Sequence, residues 1–96
     1  CGECAAKCPR KVDDAYNVAV RIESDCAHVR ALAERLTSVA VLQEMRKSMP
    51  ETAVYQAAGE ARLHTACPVP CAALKAIEVA AGLALPADVA IALHRE

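Results

Sequence analysis

The sequence contains no Phe and no Trp, and its aromatic side chains are Tyr16 and Tyr55 alone. A core built from it must consist of Ala, Val, Leu and Ile, even though 55% of the residues are apolar. Small side chains of this kind imply closely approaching elements. An excess of charge is missing too, since eleven basic and twelve acidic residues leave a net charge of −1. That balance offers no basic footprint for nucleic acid and no polybasic patch for a membrane surface, which argues against both partners. No apolar run approaches the roughly 18 residues needed to cross a bilayer, and nothing resembles a signal peptide. The expectation is a soluble, cytoplasmic protein. There is no glycine-rich phosphate loop, and no Ser/His/Asp or Cys/His triad can be built convincingly from the spacings. Ninety-six residues suffice for one core but not two, so a single domain over 1–96 is expected.

What the chain does have is cysteine, at positions 1, 4, 8, 26, 67 and 71. Their density lies below the roughly 8–10% that marks disulfide-stapled secreted domains. Without a secretory signal, reduced or metal-bound thiols are favoured over disulfides. The first residue is Cys1 and not an initiator Met. The accompanying expectation is that upstream residues were trimmed, and a further ligand with them.

Cys4, Ala6 and Cys8 would share one side of an extended chain, and Pro9 places such a strand at an edge or ends it. Asp13-Asp14-Ala15 is turn material, and Val18, Val20 and Ile22 alternate with Asn17, Arg21 and Glu23. Residues 4–12 and 16–23 are therefore predicted to form a β-hairpin. The period then changes, because Val29, Leu32, Ala33 and Leu36 fall at helical spacing behind Ser24-Asp25, predicting a helix over 26–37. Further helices are predicted over 39–47 and 51–62, the latter weakened by Gly59, and a longer one over 68–82 closed by Gly82. Val89, Ile91 and Leu93 alternate with Asp88, Ala90 and Ala92, predicting a last strand that joins the hairpin. The expected fold is two-layer α+β, strands against three to four helices.

The chemistry concentrates in His64-Thr-Ala-Cys67-Pro-Val-Pro-Cys71. Pro68 suits a first helical position, which makes Cys67 the N-cap and sets Cys71 one turn inside. Backbone N–H groups and the positive end of the helix dipole favour thiolate at such a place, and thiolate is the form that binds metal or attacks. Cys26 occupies the same kind of place at the first helix. Cys1 before the first strand, Cys26 after the second, and Cys67 and Cys71 at the last helix can meet on one edge of the fold. Zinc or an iron–sulfur cluster needs three or four such ligands, with His64 and His28 in reserve. Each thiol taken singly reads equally well as an ordinary buried cysteine. Cys4 and Cys8 read better as core thiols, although Cys1-x2-Cys4-x3-Cys8-Pro9 matches the last three cysteines and the proline of the bacterial ferredoxin run. His94 is expected to be exposed, and Lys75 with Glu78 reads as a surface pair.

The run from Ser24-Asp25-Cys26 through His64-x-x-Cys67-Pro-Val-Pro-Cys71 to Gly82-Leu-Ala-Leu-Pro86 resembles a small uncharacterised family of cysteine-containing proteins over most of the chain. The order of elements also resembles the NifU/IscU-type iron–sulfur scaffold domain. Cys1-Gly2-Glu3 stands where that family has Cys-Gly-Asp, Cys26 where it has its second thiol, and Cys67 or Cys71 where it has its third. His64 precedes Cys67 by three residues instead of adjoining it. Thr65-Ala-Cys67-Pro68 is similar to the TSCPD module. These resemblances imply a two-layer α+β fold, a scaffold role and a protein partner in iron–sulfur or sulfur metabolism.

The reading favoured is a small metal-binding protein that holds zinc or an iron–sulfur cluster through Cys1, Cys26, Cys67 and Cys71, with His64 as a replacement, and that does not turn over substrate. Both cofactors accept the same thiolates, so the choice stays open. A second chain that completes the site, in a homodimer, is compatible with an edge location. The alternatives are a thiol–disulfide or sulfur-transfer protein using Cys67 and Cys71, and an interaction domain with inert cysteines.

Overall fold

The computed structural model describes residues 4–7 and 17–95. Predicted features that fall on other residues lie outside this range: Cys1, Cys8, the turn at 13–15 and the far part of the first strand.

Strand β1 (Cys4–Lys7) pairs antiparallel with β3 (Arg21–Ser24), in a register that sets Cys4 opposite Ser24 and Lys7 opposite Arg21. This is the expected hairpin, and the α+β fold class holds. Strand β2 (Asn17–Ala19) precedes β3 by one residue but has another partner, β4 (Ser38–Ala40), with Val18 opposite Val39. Between β2 and β3, Val20 donates its N–H to the Thr37 carbonyl at 3.0 Å and so extends the β4 ladder. The β4 strand departs from expectation, because the apolar spacing predicts a helix over 39–47. Val39 and Val41 are both buried, a spacing of two that does not fit one helix face, and pairing with β2 fixes Ser38–Ala40 as strand.

Helix α1 (Ala27–Arg35) lies on β3, and a six-residue α2 (Val41–Arg46) follows β4 directly. A 3₁₀ turn at Met49–Glu51 leads into α3 (Ala53–Glu60), and α4 (Val69–Ala80) completes the helices among the described residues. α3 packs between α1 and α4, and α4 lies against β1. One continuous aliphatic core joins these elements. Val18, Val20 and Ile22 enter it from the strands, Val29, Leu32 and Leu36 from α1, and Ala73 and Ile77 from α4. Ala57, Ala58 and Ala61 carry the α3 contact, so helices meet through methyl groups, as a chain without Phe or Trp requires.

Two helix ends share one geometry. After α4, the Gly82 N–H bonds the Val79 carbonyl and the Leu83 N–H bonds the Glu78 carbonyl, with Gly82 at φ 77°. After α3, the Arg62 and Leu63 N–H groups bond Gly59 and Ala58 in the same way, but the left-handed position (φ 59°) is held by Arg62. Both are Schellman caps, and only one has the residue that adopts a positive φ without steric cost.

The last strand is not formed. Residues 84–95 have no regular secondary structure, and Val89, Ile91 and Leu93 are exposed. The alternation is present in the sequence, but no described strand pairs with it.

Candidate functional site

Cys26 is the N-cap of α1, with extended backbone angles and its carbonyl accepting the first helical bond from the Arg30 N–H at 2.9 Å. The helix begins one residue later than expected, and that shift puts the sulfur at the cap. Its pKa is lowered, first by the Val29 N–H directed toward it and then by the His28 N–H and the Arg30 charge, against an opposing contribution from desolvation. Val29 and His28 are the N3 and N2 positions, the amides that a capping side chain takes. Here a cysteine sulfur stands where Ser or Asp usually would. The residue is half-buried, packs on the core, and has its own N–H held by the Ser24 hydroxyl at 3.0 Å.

His28 is exposed, and its Nδ1 lies 3.2 Å from the Ala61 carbonyl at the end of α3. A carbonyl only accepts, so Nδ1 is the N–H donor in this contact. This contact ties the start of α1 to the connection that carries His64 and Cys67.

The start of α4 differs from expectation. Pro68 is the N-cap rather than the first helical residue, and Val69, Pro70 and Cys71 are the first three helical positions. Both prolines occupy positions whose N–H would have no helical partner, so the prolines do not interrupt the helix. Cys67 consequently lies just outside the helix, half-buried against the core, in a turn closed by its N–H to the His64 carbonyl at 3.0 Å. Cys71 sits at the third helical position and is exposed, as is His64.

Among the described residues, no three His, Cys, Asp or Glu side chains come together as a metal-holding group. Cys26, Cys67, Cys71 and His64 thus do not form a complete ligand set by themselves. Cys1 falls outside the described residues. The backbone register sets Cys4, the first residue of β1, opposite Ser24, two residues from Cys26.

One buried acidic group carries no motif in the sequence. Glu44 on α2 is 2% exposed, and its carboxylate accepts the Ala53 N–H at 2.8 Å and the Val54 N–H at 2.9 Å. The Thr52 hydroxyl accepts from the Tyr55 N–H at 3.2 Å and donates to the Met49 carbonyl at 2.8 Å. Glu44 is therefore a remote cap of α3 that completes what Thr52 begins. No local motif signals it, because a capping-box Glu at position 55 would take the Thr52 N–H and leave the Ala53 and Val54 amides to another acceptor.

No helix among the described residues is long and apolar enough to cross a membrane. No curated protein and no solved structure matches the chain. A family model matches residues 1–93, and the chain belongs to that family, DUF6951, a family of unknown function.

Proposed function

We propose that this is a small cytoplasmic metal-binding protein in which Cys26, Cys67 and Cys71 act with Cys1 of the first segment, and His64 as a replacement ligand, to hold zinc or an iron–sulfur cluster. The observation that carries the reading is the β1–β3 register, since pairing Cys4 with Ser24 sets the first residue of β1 opposite a position two residues before Cys26. A cap position that favours thiolate supplies the ionisation state a metal requires. The contact of β1 with α4 brings the element bearing Cys71 to the same strand. The resemblance in cysteine order to NifU/IscU-type scaffolds supports a carrier role with a protein partner in iron–sulfur or sulfur metabolism. A bound zinc would cross-link the segments, and a cluster would add electron or sulfur chemistry.

Anaerobic purification with elemental analysis and a visible spectrum tests this. Stoichiometric iron with a thiolate charge-transfer band, or stoichiometric zinc, is expected, and the double variant Cys26→Ser/Cys67→Ser should lose it. Metal content unchanged by that variant would refute the assignment.

The exposure of Cys71 and the partial exposure of Cys67 at the start of one helix favour one second reading, thiol–disulfide or sulfur-transfer chemistry at that pair. Metal-free protein that loses two thiols on mild oxidation and regains them on reduction would select it.

A further inference from the structure

The segment after α4 gathers most of the exposed large aliphatic side chains among the described residues, with Leu42 and Met49 elsewhere. Leu85, Val89, Ile91 and Leu93 are 88%, 57%, 67% and 87% exposed, and Leu83 is exposed as well. Past the Gly82 cap the chain passes α4 without closing onto it. Between them runs an open groove of about 660 Å³, with Ala72, Ala76 and Val79 on the helix side and Pro86 and Val89 on the other. Lys75 and Asp88 also line it, and neither takes part in an ion pair among the described residues.

We propose that this face is a two-fold interface with a second copy of the chain, in which residues 88–93 of the two copies pair as antiparallel strands over the α4 grooves. Three features select a second copy as the occupant. The chain carries both a groove and an unpaired apolar segment, and a surface that supplies both halves of a contact is the requirement of an isologous pair. A two-fold axis runs the two segments antiparallel, which gives the alternating Val89, Ile91 and Leu93 the strand partner that the described residues do not provide. It also lets Lys75 of one copy face Asp88 of the other. The size agrees: five large aliphatic side chains at on the order of 100 Å² each, counted on both copies, approach about 1,000 Å², where specific interfaces begin.

The test is sedimentation velocity of the full chain in reducing, chelator-containing buffer, so that neither disulfides nor metal can mediate association. A dimer at micromolar concentration is expected. Ile91→Asp with Leu93→Asp should give a monomer with an unchanged far-UV spectrum, since both side chains are exposed. Lys75→Glu and Asp88→Lys should each weaken association about tenfold by placing like charges opposite, and the two together should restore it. A wild-type monomer, a dimer indifferent to the aspartates, or a double charge variant no tighter than the singles would each overturn the proposal. The outcome is independent of the thiols, so it separates cleanly from the metal reading.

Discussion

Helices α1 and α3 begin in opposite ways. At α3 the first three amides are all taken by side-chain oxygens: Ala53 and Val54 by the Glu44 carboxylate, Tyr55 by the Thr52 hydroxyl, and the first helical bond runs from the Gln56 N–H to the Thr52 carbonyl at 3.0 Å. The accounting closes with acceptors that are themselves buried. At α1 the corresponding position holds a half-buried thiol, a larger and softer acceptor whose strength depends on its ionisation. One start is committed to stability and the other keeps a group whose charge can change.

Breaking the committed end should have the largest effect. Glu44→Ala strands two amides near the core, and at roughly 1–3 kcal/mol for each buried group left unpaired, a loss of about 3–4 kcal/mol is expected in chemical denaturation. That is a large part of the stability of any small domain. A loss below about 1 kcal/mol would mean that water replaces the carboxylate and that α3 is less sealed than its geometry shows.

The helix ends sharpen the same contrast at smaller scale. Arg62 holds a left-handed backbone position that costs a side chain about 1 kcal/mol, whereas Gly82 holds its equivalent without that cost. Arg62→Gly should stabilise by about 0.5–1 kcal/mol and Gly82→Ala should destabilise by about 1 kcal/mol, both read as thermal midpoints. Equal and opposite shifts would establish that backbone conformation, and not side-chain contact, sets the strength of these caps.

The smallest effect on stability belongs to the thiol end, where the informative quantity is pH. The folded pKa of Cys26 lies below its ordinary value of 9.0. Its contribution is therefore fully present above the unfolded pKa and fades as pH falls through the folded one. Alkylation at Cys26, followed by peptide mass mapping, should show a midpoint below that of the same residue in the denatured chain. A midpoint at or above that value would remove the electrostatic basis for placing chemistry at α1.

Much of this arrangement was legible in the sequence. Val18, Val20 and Ile22 alternate into the core as their spacing dictates, Val29, Leu32 and Leu36 line the inner face of α1, and Gly82 closes α4. These are local signals, each read within a few residues. What escaped depends on distance along the chain. β4 is three residues long, too short to show a period, and exists because β2 pairs with it. Residues 88–93 show the period without a strand, since a strand requires a neighbour and alternation alone does not provide one. Glu44 acts nine residues away on Ala53, beyond any capping motif. The thiols divide in the same way. Capping logic finds Cys26 and brackets the start of α4, while the path of the connections decides how closely Cys67, Cys71 and His64 approach Cys26.

The strand from residue 17 to residue 24 changes partners at Val20, giving its first part to β4 and its second to β1. A crossing point of this kind makes two small ladders mechanically inseparable. Neither two-stranded sheet would persist alone in water, and fraying of one loosens the template on which the other is laid. The pairing of β2 with β4 closes a loop of chain that contains β3 and α1. Hydrogen exchange along the shared strand would then proceed through one cooperative opening rather than two local ones, with the amide of Val20 reporting on both sides of the molecule.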